Sequence, residues 1–123
     1  MDRRSDRAFL NVGGSPFETR LSTLEKGDTF FSSLVRHASE AEANGRLFID
    51  RDPTHFRFVL NWLRGSRVLP PSTPAREELR CEADYYCMHD LVAAIDAAPA
   101  PPSVSHILAA ELPALRRAVR ERA

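Results

Sequence analysis

Lysine is almost missing from this chain. Of its 17 basic side chains, Lys26 is the one lysine and the rest are arginines. Cysteine is scarce as well, at two residues, which excludes a disulfide scaffold. No apolar run is long enough to cross a bilayer, so membrane insertion is not expected. The start, Met1-Asp2-Arg3-Arg4-Ser5-Asp6-Arg7, is charged and lacks an apolar core, so it does not read as a secretory leader. Net charge is absent too, because 17 acidic side chains balance 17 basic ones. That balance argues against bulk electrostatic binding to nucleic acid or acidic lipid. Phosphate-binding glycine loops are also missing. Gly13-Gly14 belongs to neither a G-x-x-x-x-G-K-[ST] nor a G-x-G-x-x-G pattern. There is no G-x-S-x-G elbow and no cysteine–histidine protease signature.

What is present is ordinary for a globular chain: 123 residues, 43% hydrophobic and 28% charged. This length allows one domain with a short appendage, and should bury roughly two thirds of the unfolded surface. The arginine bias has two readings. Arginine suits bidentate recognition of carboxylate or phosphate, and a codon bias that also enriches alanine and proline would produce the same count.

Alternation marks the first elements. Ala8, Leu10 and Val12 share one face, Gly13-Gly14-Ser15-Pro16 breaks the chain, and Phe17, Thr19 and Leu21 alternate again. Two such runs around a Gly-Gly break predict a β-hairpin. Asp28 is the expected N-cap of a short helix over 29–37, with Phe31, Leu34 and Val35 as its stripe. Residues 38–45 read as a loop, and Arg46–Asp50 as a third strand. Asp52-Pro53 predicts a helix start, and Phe56, Val59, Leu60 and Leu63 form its stripe. Phe58 and Trp62 add a second apolar side to that helix, and Gly65 suits its C-terminal end. Thr73 and Pro74 should open a further helix with Leu79, Ala83, Tyr86 and Cys87 on one face. Asp90 should cap the next, with Leu91, Ala94, Ile95 and Ala98 inward. Pro99–Pro102 reads as a stiff linker. From Ser103 to Ala123, Val104, Ile107, Leu108, Leu112, Leu115 and Val119 predict an amphipathic helical tail, interrupted at Pro113. Packing of that stripe on the domain, a neighbouring subunit or a partner is expected over membrane, calmodulin or nucleic-acid binding by its arginines.

The element order is hairpin, helix, strand and then a run of helices, an α+β arrangement. Phe9-Leu10-Asn11-Val12-Gly13-Gly14, followed by Phe17-x-Thr19-x-x-x-Thr23-Leu24, resembles the start of the BTB/POZ domain of the potassium-channel tetramerisation type. Phe48-Ile49-Asp50-Arg51-Asp52-Pro53-x-x-Phe56 resembles its central motif. Val59-Leu60-Asn61-Trp62-Leu63-Arg64-Gly65, Leu69-Pro70, and Glu78-Leu79-x-x-Glu82-Ala83-Asp84-Tyr85-Tyr86 continue in the same order. The resemblance covers about residues 8–97.

It implies a three-stranded sheet, including the N-terminal hairpin, packed against about five helices. The expected organisation is a flexible stretch 1–7, a BTB/POZ domain 8–98, a linker 99–102 and a helical tail 103–123. It also implies a non-enzymatic module that assembles with copies of itself. Channel-type members form rings of four, and the related KCTD adaptors commonly form rings of five. Many KCTD proteins dock cullin-3 as ubiquitin-ligase substrate adaptors. A KCTD-like scaffold or cullin-3 adaptor is therefore expected, in the cytoplasm, with the nucleus as the other compartment. The alternative is a purely structural assembly protein, or a tetramerisation domain related to voltage-gated channels, without cullin binding.

In a head-to-tail ring each subunit presents two different, complementary faces. Asn11, Glu18, Thr19 and Arg20 offer polar groups on the hairpin, and Asp50, Arg51 and Asp52 place three charges beside the central helix. These seven residues are the expected oligomer interface, through charge-assisted hydrogen bonds. Asp52 can also act only as a cap, and Arg51 can simply be solvated.

No catalytic, cofactor or metal site is expected. Cys81 and Cys87 on one predicted helix would lie ~9 Å apart at 1.5 Å rise per residue, too far for a disulfide. With His89 they match no common zinc-finger spacing. The adjacent cysteine pair through which some channel-type relatives hold interface zinc is missing. His37, His55, His89 and His106 are scattered.

Overall fold

The computed structural model describes residues 6–37 and 46–101. The expected loop over 38–45, the tail over 103–123 and the first five residues lie outside the described residues.

Ala8, Leu10 and Val12 are buried while Arg7, Phe9 and Asn11 are exposed, the period of two that defines a half-buried strand. This is β1, Arg7–Val12. Strand β2, Ser15–Arg20, returns antiparallel to it, with Val12 opposite Ser15. Gly13 and Gly14 close the two-residue turn with φ of 56° and 101°, the left-handed conformations that tight hairpins need. A side chain on Gly13 would also collide with the carbonyl oxygen of Arg51. The Gly13 amide donates to the Ile49 carbonyl at 2.9 Å, which fastens the turn to the third strand. That strand, β3, runs from Arg46 to Ile49, parallel to β1, giving the order β2-β1-β3.

Five helices accompany the sheet among the described residues: α1 Leu21–Leu24, α2 Phe30–Arg36, α3 Phe56–Leu63, α4 Thr73–Tyr85 and α5 His89–Ala97. The expected α+β fold, a three-stranded sheet against helices, is what forms. Leu10, Val12, Leu47 and Ile49 of the sheet meet Phe56, Val59, Leu60, Leu79, Ala83 and Leu91 of the helices in one buried cluster. Each of the larger of these side chains, Ala83 excepted, contributes about 1.5–3 kcal/mol on burial. At its centre Tyr86 stacks on Phe31 with ring centroids 4.6 Å apart, and Phe56 meets Phe31 edge-on at 5.8 Å. The double apolar character of α3 is explained by burial: Trp62 is buried and Phe58 half-buried.

The helix starts differ from the sequence reading in consistent ways. Leu21 does not extend β2 but opens α1, its amide donating to the Asp6 carbonyl at 2.7 Å. Thr29, not Asp28, caps α2: its hydroxyl accepts from Phe31 and Ser32, and Ser32 answers with a bond from the Thr29 amide. Asp52 does not cap α3, which begins at Phe56 after a turn over 53–55. Ser72 caps α4 in place of Thr73, accepting from the Ala75 amide at 3.2 Å. Met88 precedes α5, and Asp90 lies inside its first turn. Cys87 lies beyond the end of α4, exposed, with φ of 57°. Gly65 ends α3 as expected: its amide donates to Trp62, and the Ser66 amide donates to Asn61.

Candidate assembly surface

Among the described residues, the helices cover one face of the sheet and leave the other open. Alternation sends Phe9 and Asn11 of β1, Pro16 and Glu18 of β2, and Arg46 and Phe48 of β3 to the open side. Register places Phe9 between Glu18 and Arg46, and Asn11 between Pro16 and Phe48. Together these six line a shallow, open concavity of about 700 Å³. Its apolar parts are uncommonly exposed: Phe9 keeps 39% and Phe48 60% of its surface. Arg46 lies over the Phe9 ring at 5.6 Å. Arg7 donates to Glu18 at 2.8 Å and Arg20 to Asp6 at 3.4 Å. Arg64, reaching from the end of α3, donates to the Glu18 carbonyl at 2.8 Å and so covers part of the β2 edge.

The three charges after β3 behave differently from one another. Asp50 is exposed just past the strand. Arg51 turns back onto its own chain, and its Nε and Nη2 donate to the two carboxylate oxygens of Glu82 on α4, at 3.1 and 2.8 Å. This fork raises the Arg51 pKa above its ordinary value. The same guanidinium lies 4.1 Å over the ring of Tyr85. Asp52 accepts from the amide and hydroxyl of Thr54, at 2.9 and 2.6 Å, and these bonds hold its carboxyl below the usual range.

Of the seven expected interface residues, Asn11, Glu18 and Arg20 therefore share the open sheet face. Asn11 also accepts from the Gly14 amide at 2.7 Å, stabilising the turn. Thr19 points the other way and is buried. Asp50, Arg51 and Asp52 form a second locality at the end of β3. Sequence reasoning missed Phe9, Phe48 and Tyr85, the exposed aromatics of both localities. A signal existed for Phe9 and Phe48, since each occupies the polar phase of an alternating strand. Glu82 carried none, because an acidic residue on a helix has many possible partners.

Other clusters are smaller. His55 Nε2 lies 2.6 Å from Glu78 Oε1 beside Cys81 in a hollow of about 290 Å³. Trp62 donates to Asp90 at 3.0 Å under the Arg67 guanidinium. Among the described residues, no group of histidine, cysteine and carboxylate side chains is placed to hold a metal ion, and no helix is long and apolar enough to cross a membrane.

Comparison with known proteins finds a match to the family model described as BTB/POZ domain over residues 8–95. The chain is 44% identical over 87 residues to FH protein interacting protein FIP2 of Arabidopsis thaliana, covering 67% of this chain and 29% of that protein. It is 41% identical over 86 residues to the BTB/POZ domain-containing adapter for CUL3-mediated RhoA degradation protein 1 of Danio rerio, covering 68% of this chain and 26% of that protein. The chain thus spans less than a third of the length of either relative.

Proposed function

This chain belongs to the BTB/POZ domain family, of the potassium-channel tetramerisation, KCTD-like type, and from that membership we propose that it is a self-assembling scaffold or cullin-3 adaptor rather than an enzyme. The observation that carries the reading is the family match over the whole sheet-and-helix unit. The name of the zebrafish relative supports the adaptor role. The open sheet face supports self-assembly, because aromatic side chains as exposed as Phe9 and Phe48 mark a surface awaiting a partner. The assembly is a ring of four or five copies, with Asn11, Glu18 and Arg20 contributing from the hairpin and Asp50 and Asp52 from beyond β3. Thr19 supports that surface from inside, and Arg51 through its bond to Glu82. The protein works in the cytoplasm.

Light scattering of the purified chain, with and without an N-terminal cullin-3 fragment, tests both parts. The expected result is a tetramer or pentamer whose mass rises when the fragment is added. A monomer removes the self-assembly reading. A ring that ignores the fragment removes the cullin-3 role and leaves a structural assembly protein.

A further inference from the structure

A serine or threonine stands directly before a proline at two places in the chain, Ser15-Pro16 and Thr73-Pro74. One class of protein kinases accepts a hydroxyl only in that setting. Proline after the acceptor has no amide, so the apolar pocket that receives it leaves no donor unpaired. The same class prefers a basic side chain three residues after the acceptor, where it pairs with anionic groups of the enzyme. Thr73-Pro74-Ala75-Arg76 meets every one of these conditions. Ser15-Pro16-Phe17-Glu18 puts a carboxylate where the basic residue belongs, and Ser15 is paired with Val12 in the hairpin.

The fold presents the threonine. Pro71, Ser72, Thr73 and Pro74 are exposed in succession, and residues 64–72 ahead of them form neither helix nor strand. A kinase grips its substrate as an extended segment, so the first turn of α4 must open. That turn is lightly held. The Ser72 hydroxyl accepts from the Ala75 amide at 3.2 Å and the Ser72 carbonyl from the Arg76 amide at 3.0 Å, while Pro74 has no amide to give. Helix ends open locally at small cost.

Arg76 lies one turn further along the same side of α4. Its Nε donates to the Pro70 carbonyl at 2.7 Å and its Nη1 to the Pro99 carbonyl at 2.8 Å. One guanidinium thus ties the connection ahead of α4 to the chain just beyond α5. Both acceptors are neutral. A phosphate on Thr73 would offer the same guanidinium charged oxygens, and arginine–phosphate forks are stronger than bonds to neutral carbonyls. Charge at this end of a helix is also favoured by its dipole, so the domain should stay folded.

We propose that Thr73 is the phosphorylation site of a proline-directed protein kinase, and that Arg76 responds to the phosphate by leaving Pro99. In the transfer, Thr73 Oγ1 attacks the γ-phosphorus of magnesium-bound ATP and forms the new P–O bond. The bond from that phosphorus to the β–γ bridging oxygen breaks, and ADP leaves with the electron pair. The hydroxyl proton passes to the catalytic carboxylate of the kinase. Phosphorylation then frees the chain after α5 from α4 without unfolding either helix.

The full chain, incubated with magnesium, ATP and a purified cyclin-dependent kinase that turns over a control peptide, tests the site by intact mass and fragment-ion mapping. One phosphoryl group on Thr73 is expected. Thr73→Val should abolish it and Ser15→Ala should leave it in place. Pro74→Ala keeps a good helix former but restores an amide the kinase pocket cannot pair, and should slow the reaction by about tenfold or more. A folded chain that stays unmodified, or that is modified at another residue, overturns the assignment. Hydrogen exchange reads the second part. The amides of Ala97 and Ala98 should exchange faster in the phosphorylated chain, with the amide of Leu60 in α3 unchanged, and Arg76→Ala should reproduce the increase without phosphate. Equal exchange at Ala97 and Ala98 before and after phosphorylation overturns the role given to Arg76.

Discussion

Arg51 and Glu82 are joined by two parallel hydrogen bonds, 3.1 and 2.8 Å long, that tie the end of β3 to the middle of α4. The pair is largely shielded, with 30% and 15% of the two side chains exposed. A forked pair in that setting is worth more than a solvated surface contact, because two charge-assisted hydrogen bonds fix its geometry and partial shielding from water weakens their screening.

Arg51→Met and Glu82→Gln should each destabilise the chain by about 1–3 kcal/mol. Urea unfolding of the two single variants and the double variant should show a coupling of about 1 kcal/mol or more between them. Additive effects would mean that the pair contributes nothing beyond its separate packing. Arg51→Glu should be the most damaging, since it sets two carboxylates against each other. Any loss of assembled mass in that variant should therefore come with an earlier melt.

Tyr86 presents the opposite case. Its ring is fully buried, and its hydroxyl oxygen has no hydrogen-bond partner among the described residues. Burial pushes its pKa well above the ordinary 10.0. Tyr86→Phe removes an unsatisfied polar atom and keeps the ring stack on Phe31, so stability at neutral pH should rise by about 1 kcal/mol. A raised pKa means that the folded state holds its proton longer than the unfolded state. The wild type should accordingly lose stability as pH climbs above 10.0, and Tyr86→Phe should lose less. Urea midpoints measured from neutral to alkaline pH check both statements; a large loss at neutral pH would mean that the hydroxyl has a partner.

The start of α2 separates two neighbouring candidates for the same task. Thr29 makes the reciprocal bonds with Ser32, whereas Asp28, among the described residues, makes a distant pair with Arg36 at 4.0 Å. Thr29→Ala should cost about 1 kcal/mol. Asp28→Ala should stay within about 0.5 kcal/mol of wild type, as exposed charges usually do. Chemical denaturation of the two variants side by side decides it, and a reversal of the order would return the cap to Asp28.

The differences between sequence and structure follow one rule. The strand of Ala8, Leu10 and Val12, the Gly13-Gly14 turn and the stripe of Phe56, Val59, Leu60 and Leu63 were all legible, because side-chain direction repeats with the backbone and needs only neighbours in sequence. The caps moved by a residue or more. At Asp28-Thr29 and Ser72-Thr73 adjacent residues have the same capping chemistry, and only backbone angle chooses between them. Asp52 fell further from its expected role, because its carboxylate is taken up by Thr54 and the helix waits until Phe56.

The candidate surface divides in the same way. Sequence alone determined that this is an α+β chain of BTB/POZ type, with a hairpin whose alternate residues must face outward. Phe9 in the hairpin and Phe48 in the third strand were readable from alternation as apolar residues in the polar phase. Only the tertiary structure decided that Arg51 belongs to Glu82, 31 residues away, and that the same guanidinium pins Tyr85. It also decided that Thr19 lies inside while Glu18 and Arg20 lie outside. Hydrophobic burial repeats along the chain and can be counted, whereas a charge has no period, and its partner is whichever opposite group the packed backbone brings within reach.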